Sequence, residues 1–253
     1  MKTIFVTGAA SGIGRATAHK FAKEGWFVGL FDLNLDGAET VRQELGASRC
    51  IAGRLDVTSL DEFRAAVAAF DGAVGRMDVL FNNAGLLEMG PFDDITPERV
   101  SRMMAVNMNG VVNGVYASLP LLERTGRATI LNMSSASAIY GIPELAVYSA
   151  SKFFVRGLTE SLDLELGARG IRVCDLMPSY VATPMVTNQS YRAATLDTVG
   201  VKLTADRVAD AAWRAVAGKA THNIPQTEIR IMRRLAGLVP ELARYATKKL
   251  ARL

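Results

Sequence analysis

The sequence predicts an α/β fold, a single domain built on a doubly wound parallel sheet. Six short apolar runs lack the in–out alternation of a sheet with one wet face, so each reads as a strand buried on both sides. Helical patterns separate these runs, and no linker-like or low-complexity stretch interrupts the 253 residues. A glycine-rich turn joins the first run to the first helix, the place where an open sheet of this kind holds a ligand.

Thr3 to Val6 forms the first strand and runs into Thr7-Gly8-Ala9-Ala10-Ser11-Gly12-Ile13-Gly14, with a helical pattern from Arg15 to Glu24. Glycines let the backbone turn tightly and approach a ligand, and the helix N-terminus offers unpaired N–H groups to phosphate. The second run, Trp26 to Phe31, ends at Asp32. An acid there accepts hydrogen bonds from an adenosine ribose and repels a 2′-phosphate, which favours NAD over NADP. Arg15, beside the glycine loop, leaves NADP as the alternative.

Cys50 to Leu55 is the third strand, closed by Asp56-Val57, and Ser59-Leu60-Asp61-Glu62 opens the next helix as a capping box. Met77 to Phe81 is the fourth, running into Asn82-Asn83-Ala84-Gly85. Thr96-Pro97 starts a long helix with its cap and proline in favoured places. That helix carries Asn107 among apolar neighbours, where a buried amide must find partners; a structural and a functional role are both open. Ala128 to Met133 is the fifth strand, and Ile171 to Met177 the sixth.

Between these two strands lie Ser134-Ser135 and a helix bearing Tyr148 and Lys152, four residues apart and so on one helical face. A phenol beside a fixed ammonium is expected to have its pKa pulled down, giving a proton donor and acceptor for carbonyl/alcohol interconversion. Groups at the ends of the strands converge at the carboxyl edge of such a sheet.

Taken together these residues resemble the short-chain dehydrogenase/reductase family, over nearly the whole chain to about Asp210. The match rests on the loop Thr7 to Gly14, Asp56, Asn82 to Gly85, Asn107, Ser135, Tyr148 and Lys152. The spacing to Tyr148 picks Ser135 over Ser134 as the family's serine. The resemblance implies a Rossmann fold and a catalytic set of Asn107, Ser135, Tyr148 and Lys152, with Asn107 keeping a relay water. It implies an NAD site at Gly8, Ser11, Gly12, Ile13, Gly14, Asp32, Leu33, Asp56, Val57, Asn83, Ala84, Gly85, Tyr148, Lys152, Pro178, Val181 and Thr183. Substrate contacts are expected from Ser135, Tyr140, Ile142, Tyr148, Tyr180 and Met185. These walls are largely apolar, so a hydrophobic or aromatic secondary alcohol or ketone is expected. A nucleotide-sensing binding protein on the same fold is the rival of another class.

Two departures from the family pattern stand out. Ser179 replaces the usual glycine in Pro178-Ser179-Tyr180-Val181-Ala182-Thr183, and the chain ends in a basic segment instead of a seventh strand with its Asp-Gly-Gly tail. A homodimer is therefore expected before a tetramer. The core is expected over 1–225, with a substrate loop at 184–204 and a helical extension at 226–253. From Arg230 to Leu253 there are seven Lys/Arg against one acid, while Ile231, Leu235, Leu238, Leu242, Ala246, Leu250 and Leu253 recur at helical spacing. That describes an amphipathic helix, bent at Pro240, able to cover the pocket, dock on a partner or lie on an anionic membrane.

Composition sets outer bounds. The chain is 49% hydrophobic and 21% charged with net charge +4, which suits a globular core and gives no nucleic-acid groove. Two distant cysteines and two histidines form no disulfide or metal spacing. The first apolar run breaks at once into Thr7-Gly8, unlike a signal peptide, so a cytoplasmic protein is expected.

Overall fold

The structure, a computed structural model, describes residues 1–238 and 240–251, without the side chains of 235–238, 240, 242–244 and 246. The strands are β1 (Thr3–Thr7), β2 (Phe27–Asp32), β3 (Cys50–Arg54), β4 (Val79–Asn82), β5 (Ala128–Met133), β6 (Ile171–Leu176), β7 (Val181–Ala182), β8 (Leu203–Thr204) and β9 (His222–Asn223). Seven of them make one sheet in the order β3-β2-β1-β4-β5-β6-β9, every pairing parallel. The order reverses between β1 and β4, and a ligand crevice opens there at the carboxyl ends.

The unbroken apolar runs are explained by two packed layers. Ile4, Val6, Val28, Leu30, Val79 and Phe81 face one layer. Their alternate neighbours Phe5, Phe27, Phe31 and Leu80 face the other. Side chains alternate sides with period two, so a strand covered on both faces must be apolar at every position. On the first face pack α1 (Gly12–Lys23), α2 (Leu35–Leu45) and α9 (Ala205–Ala217), where Phe21, Trp26 and Trp213 meet edge to face. On the second pack α3 (Leu60–Val74), α5 (Gly110–Thr125) and α6 (Ala146–Gly167). There Phe5 stacks on Phe31 at 4.2 Å and meets Phe70 edge-on at 5.5 Å. Gly29 makes room for this cluster, since a Cβ on it would lie 2.7 Å from the Phe70 ring.

The six-strand expectation is corrected to seven by β9. Its two residues are too few to show any period, and its position comes from pairing with β6, where Asp175 stands opposite His222. The long helix after Thr96 is also not continuous. It is α4 (Pro97–Met104), a π turn at Ala105–Asn109, then α5. The wider turn lets Asn107 leave the helical ladder, and π turns of this kind often mark sites. Directly after it, Gly110 packs on Val57 and Gly114 on Asn82, approaches that a Cβ would block at 2.8 Å and 2.2 Å.

Beyond β6 come α7 (Pro184–Thr187) and α8 (Ala194–Val199), and the chain closes with α10 (Thr227–Leu238) and α11 (Pro240–Leu250). The basic segment is thus two helices, the second opening on Pro240 where a missing N–H costs nothing. Of its apolar stripe, Leu235, Leu238, Leu242, Ala246 and Leu253 lie outside the described side chains. Ile231 is exposed and Leu250 half-buried. No helix among the described residues is long and apolar enough to cross a membrane.

Candidate active site

The glycine loop is held open by its neighbours. Gly8 and Gly12 take φ of 67° and 52°, a region that favours glycine. Asn83 braces the loop: its Nδ2 donates to the carbonyls of Thr7 (2.9 Å) and Gly8 (3.2 Å). In return Thr7 Oγ1 accepts the N–H groups of Asn83 and Ala84 at 3.0 Å each. The carboxyl ends of β1 and β4, far apart in sequence, are therefore one unit. Ser11 at the N-cap of α1 makes no side-chain cap bond, and no acid occupies the first helical turn. The helix N–H groups and positive dipole end are left to an anion, which fits a dinucleotide's phosphates.

Asp32 closes this end. Its carboxylate accepts from Ala10 N and Asn34 N, both at 2.9 Å, and its wall position suits ribose hydroxyls. Asp56 accepts from both the N–H and hydroxyl of Thr58, which hold its carboxyl below the usual range. Arg15, the residue that leaves room for NADP, is paired with Glu44 at 2.6 Å on the surface and does not line the cavity.

At the other end Lys152 is 4% exposed, its Nζ donating to Met133 O at 2.9 Å and lying 5.5 Å from the Tyr148 ring centre. Burial pushes the Lys152 ammonium down to about 8. The Tyr148 phenol goes the opposite way from the sequence expectation. Burial pushes it up to about 12, and a hydrogen bond from Ser135 only partly offsets this. Desolvation is the largest influence on the phenol and Tyr180 adds to it, while the Lys152 ammonium is itself desolvated and turned toward the Met133 carbonyl. Ser135, in extended backbone after β5, also accepts from Ser137 N at 3.2 Å. Ser134, the neighbour passed over, instead turns inward and donates to Lys152 O at 3.3 Å. Ser137 Oγ is buried with no partner among the described residues, and Ser137 belongs to the cavity wall.

The glycine loop, Asp32, Asp56, Ser135, Tyr148 and Lys152 share one cavity of about 690 Å³. It is lined by Gly8, Ser11, Gly12, Ile13, Asp32, Leu33, Asp56, Val57, Asn83, Ala84 and Gly85 from the glycine-loop side. Ser135, Tyr140, Ile142, Tyr148, Lys152, Pro178, Tyr180, Val181, Thr183 and Met185 line the rest. Two expected residues do not line it. Gly14 packs under the loop, where a Cβ would lie 2.0 Å from Gly8 O; it shapes the cradle without touching its contents. Asn107 sits beneath the wall at 1% exposure. Its Oδ1 accepts from Leu86 N at 2.7 Å, while Nδ2 donates to Leu86 O at 2.9 Å and Ser151 Oγ at 3.1 Å. Both amide hydrogens are used, so the side chain ties the loop after β4 to the helix carrying Tyr148.

Sequence reasoning missed Arg102, which lines the cavity near Asp56, and Ile229, Thr247 and Leu250, which also line it. Apolar spacing flagged the C-terminal segment as amphipathic and left open whether it covers the pocket, a partner or a membrane. Among the described residues no group of three or more His, Cys, Asp or Glu is placed to hold a metal ion.

A family described as "short chain dehydrogenase" matches residues 2–193, ending one residue before α8. The 3-alpha-(or 20-beta)-hydroxysteroid dehydrogenase of Mycobacterium tuberculosis is 38% identical over 73% of this chain and 70% of its own. The 2,5-dichloro-2,5-cyclohexadiene-1,4-diol dehydrogenase of Sphingobium indicum is 35% identical over 74% of this chain and 76% of its own. Among solved structures, a short chain dehydrogenase/reductase from Burkholderia phymatum in complex with NAD superposes with a TM-score of 0.86 at 27% identity, covering 95% of this chain and 94% of that one.

Proposed function

The chain belongs to the short-chain dehydrogenase family, and we propose that it is an NAD-dependent oxidoreductase interconverting a hydrophobic, ring-type secondary alcohol and its ketone. One observation carries this reading. Tyr148, bonded to Ser135 with buried Lys152 beside it, stands at one end of a single cavity whose other end is the glycine cradle and Asp32. A nicotinamide held in this cavity would supply the hydride acceptor for oxidation and the hydride donor for reduction. Tyr148 Oη takes the hydroxyl proton in the first direction and donates it to the carbonyl oxygen in the second. Ser135 Oγ offers that oxygen a hydrogen bond that strengthens as charge develops on it. Lys152 spends one N–H on Met133 O, and its other donors suit the nicotinamide ribose. Its charge favours the phenolate at the moment the proton has left. Asn107 keeps the loop after β4 and the Tyr148 helix in register.

The ring-type substrate is supported by two relatives named for ring alcohols and by walls contributed by Leu87, Ile142, Leu145, Tyr180 and Val186. NAD is supported by Asp32, by the engagement of Arg15 with Glu44, and by the NAD held in the similar Burkholderia structure. Binding of NADH and NADPH to wild type and to Asp32→Ala tests the cofactor, followed by turnover of alicyclic alcohols. NADH is expected to bind the wild type more tightly than NADPH, and removing the like-charge repulsion should narrow the gap by roughly tenfold. A wild type that prefers NADPH would overturn the assignment.

We also infer a homodimer through the outer faces of α5 and α6, where Tyr116, Phe153 and Leu164 are 68%, 41% and 85% exposed. Large apolar groups gathered on two neighbouring helices point to a covered face. Leu164→Glu should shift the sedimentation of the protein from dimer to monomer. An unchanged dimer would place the interface elsewhere. Cys50 and Cys174 are free, buried thiols, which supports a reducing, cytoplasmic setting.

A further inference from the structure

The two departures noted in the sequence, Ser179 and the C-terminal segment, meet in space. Gln226, 9% exposed and one residue before α10, grips Ser179 twice: Oε1 accepts the Ser179 N–H at 3.0 Å, and Nε2 donates to Ser179 Oγ at 2.7 Å. A glycine at 179 would lack the second bond. The grip fixes the start of α10 against the loop that leads from β6 to Tyr180 and Thr183. From there Ile229, 5% exposed, packs with Ala136, Ile139 and Met177 and against Tyr140, beside the Ser135 turn.

The second helix returns over the same end. α11 packs on α8, and Thr247 and Leu250 join Thr195 and Val199 of α8 in the cavity wall. Thr195 Oγ1 lies 2.7 Å from the Tyr180 hydroxyl, so α8 is itself bonded to the substrate side of the site. Ala251, just past α11, is 6% exposed. The basic residues Arg230, Arg234, Lys248 and Lys249 are exposed to solvent and do not line the chamber. Among the described residues of these helices, Ile229, Thr247 and Leu250 line it.

We propose that the Ser179–Gln226 clamp holds α10 and α11 as the far wall of the substrate chamber, and that Ile229 and Leu250 set the size of the uncharged alicyclic alcohol it takes. This rests on the oxidoreductase reading above and deepens it. An apolar, closed wall discriminates by volume: extra bulk at the wall excludes the larger ring system, and lost bulk admits it. Among its described residues this wall offers no charged side chain to a charged or phosphorylated substrate.

The test compares kcat/KM with NAD for cyclohexanol and for decahydro-2-naphthol, which differ by one fused ring. Leu250→Trp should lower the bicyclic-to-monocyclic ratio by roughly tenfold, the size of discrimination a hydrophobic pocket achieves. Leu250→Ala should raise it. Ser179→Gly, which removes only the hydroxyl half of the clamp, should move the ratio toward one. Ratios equal to wild type in Leu250→Trp and Leu250→Ala would overturn the proposal, and the alanine variant decides alone if the tryptophan one does not fold. Binding of 2-decalone to the NADH complex, followed by calorimetry, separates this wall from the chemistry. If wild type turns over neither alcohol, the oxidoreductase reading falls, and roughly tenfold weaker decalone binding to Leu250→Trp still supports the wall. Equal binding, or none to wild type, overturns it.

Discussion

Tyr148→Phe is expected to lower kcat by about 10³-fold in both directions, within the range of general acid–base effects, while leaving NADH binding nearly intact. The ring is half-buried against Leu87, Met89 and Leu145, and phenylalanine keeps that packing. What goes is the hydroxyl to which the proposed mechanism gives the proton exchange with the substrate oxygen. With the phenol at about 12, wild-type Tyr148 is protonated at neutral pH. Ketone reduction then has its donor ready, and alcohol oxidation should climb as pH rises and the proton comes off. Single-turnover NADH formation, measured across pH, checks both statements. A Phe variant that kept more than roughly a tenth of wild-type kcat would move the proton chemistry to Ser135 or a water, since loss of a real acid–base group costs at least about a hundredfold.

The largest expected effect on stability lies away from the site, at His222. Asp175 is fully buried at the sheet edge, and His222 Nδ1 approaches its two carboxylate oxygens at 3.0 Å and 3.1 Å. The other ring nitrogen reaches Glu160 on the Tyr148 helix at 2.9 Å. His222→Ala strands a buried carboxylate, a change that costs about 3–5 kcal/mol. For a chain this long that lowers Tm by roughly 10 °C. The pH dependence has a definite sign. Burial already raises the Asp175 carboxyl above its ordinary value, with His222 the opposing influence, and removing the histidine raises it further. A raised carboxyl means the folded state binds the proton more tightly than the unfolded one, so stability falls as pH climbs through that range. The mutant should therefore lose more stability at neutral and alkaline pH than in mild acid, where Asp175 is protonated. Thermal melts across pH decide it. A variant as stable as wild type at neutral pH, or one hit hardest in acid, would show that Asp175 is not held as a charge. His222→Gln, which keeps a donor, should recover part of the loss.

The same histidine marks where sequence reading stopped. Periodicity and chemistry in the linear chain were enough for the six long strands, because a strand covered on both faces must be apolar throughout, and for the glycine loop, because only a strand–glycine–helix order makes that cradle. Asp32 was legible as the acid that ends the second strand, and Ser135, Tyr148 and Lys152 through the family resemblance; the structure brings all four to one cavity. Everything decided by contacts between distant segments was not. Two residues carry no period, so β9 exists through its pairing with β6 and the buried Asp175–His222 contact. The Tyr148 pKa follows from burial, which the four-residue spacing to Lys152 does not contain. Gly14 and Asn107, expected from the family resemblance to touch cofactor and a relay water, lie beneath the wall, where a missing Cβ and a saturated amide brace the loops. Amphipathic spacing gave the C-terminal helices an apolar side; only the tertiary structure, through Gln226 on Ser179 and α11 on α8, turned that side toward the cavity.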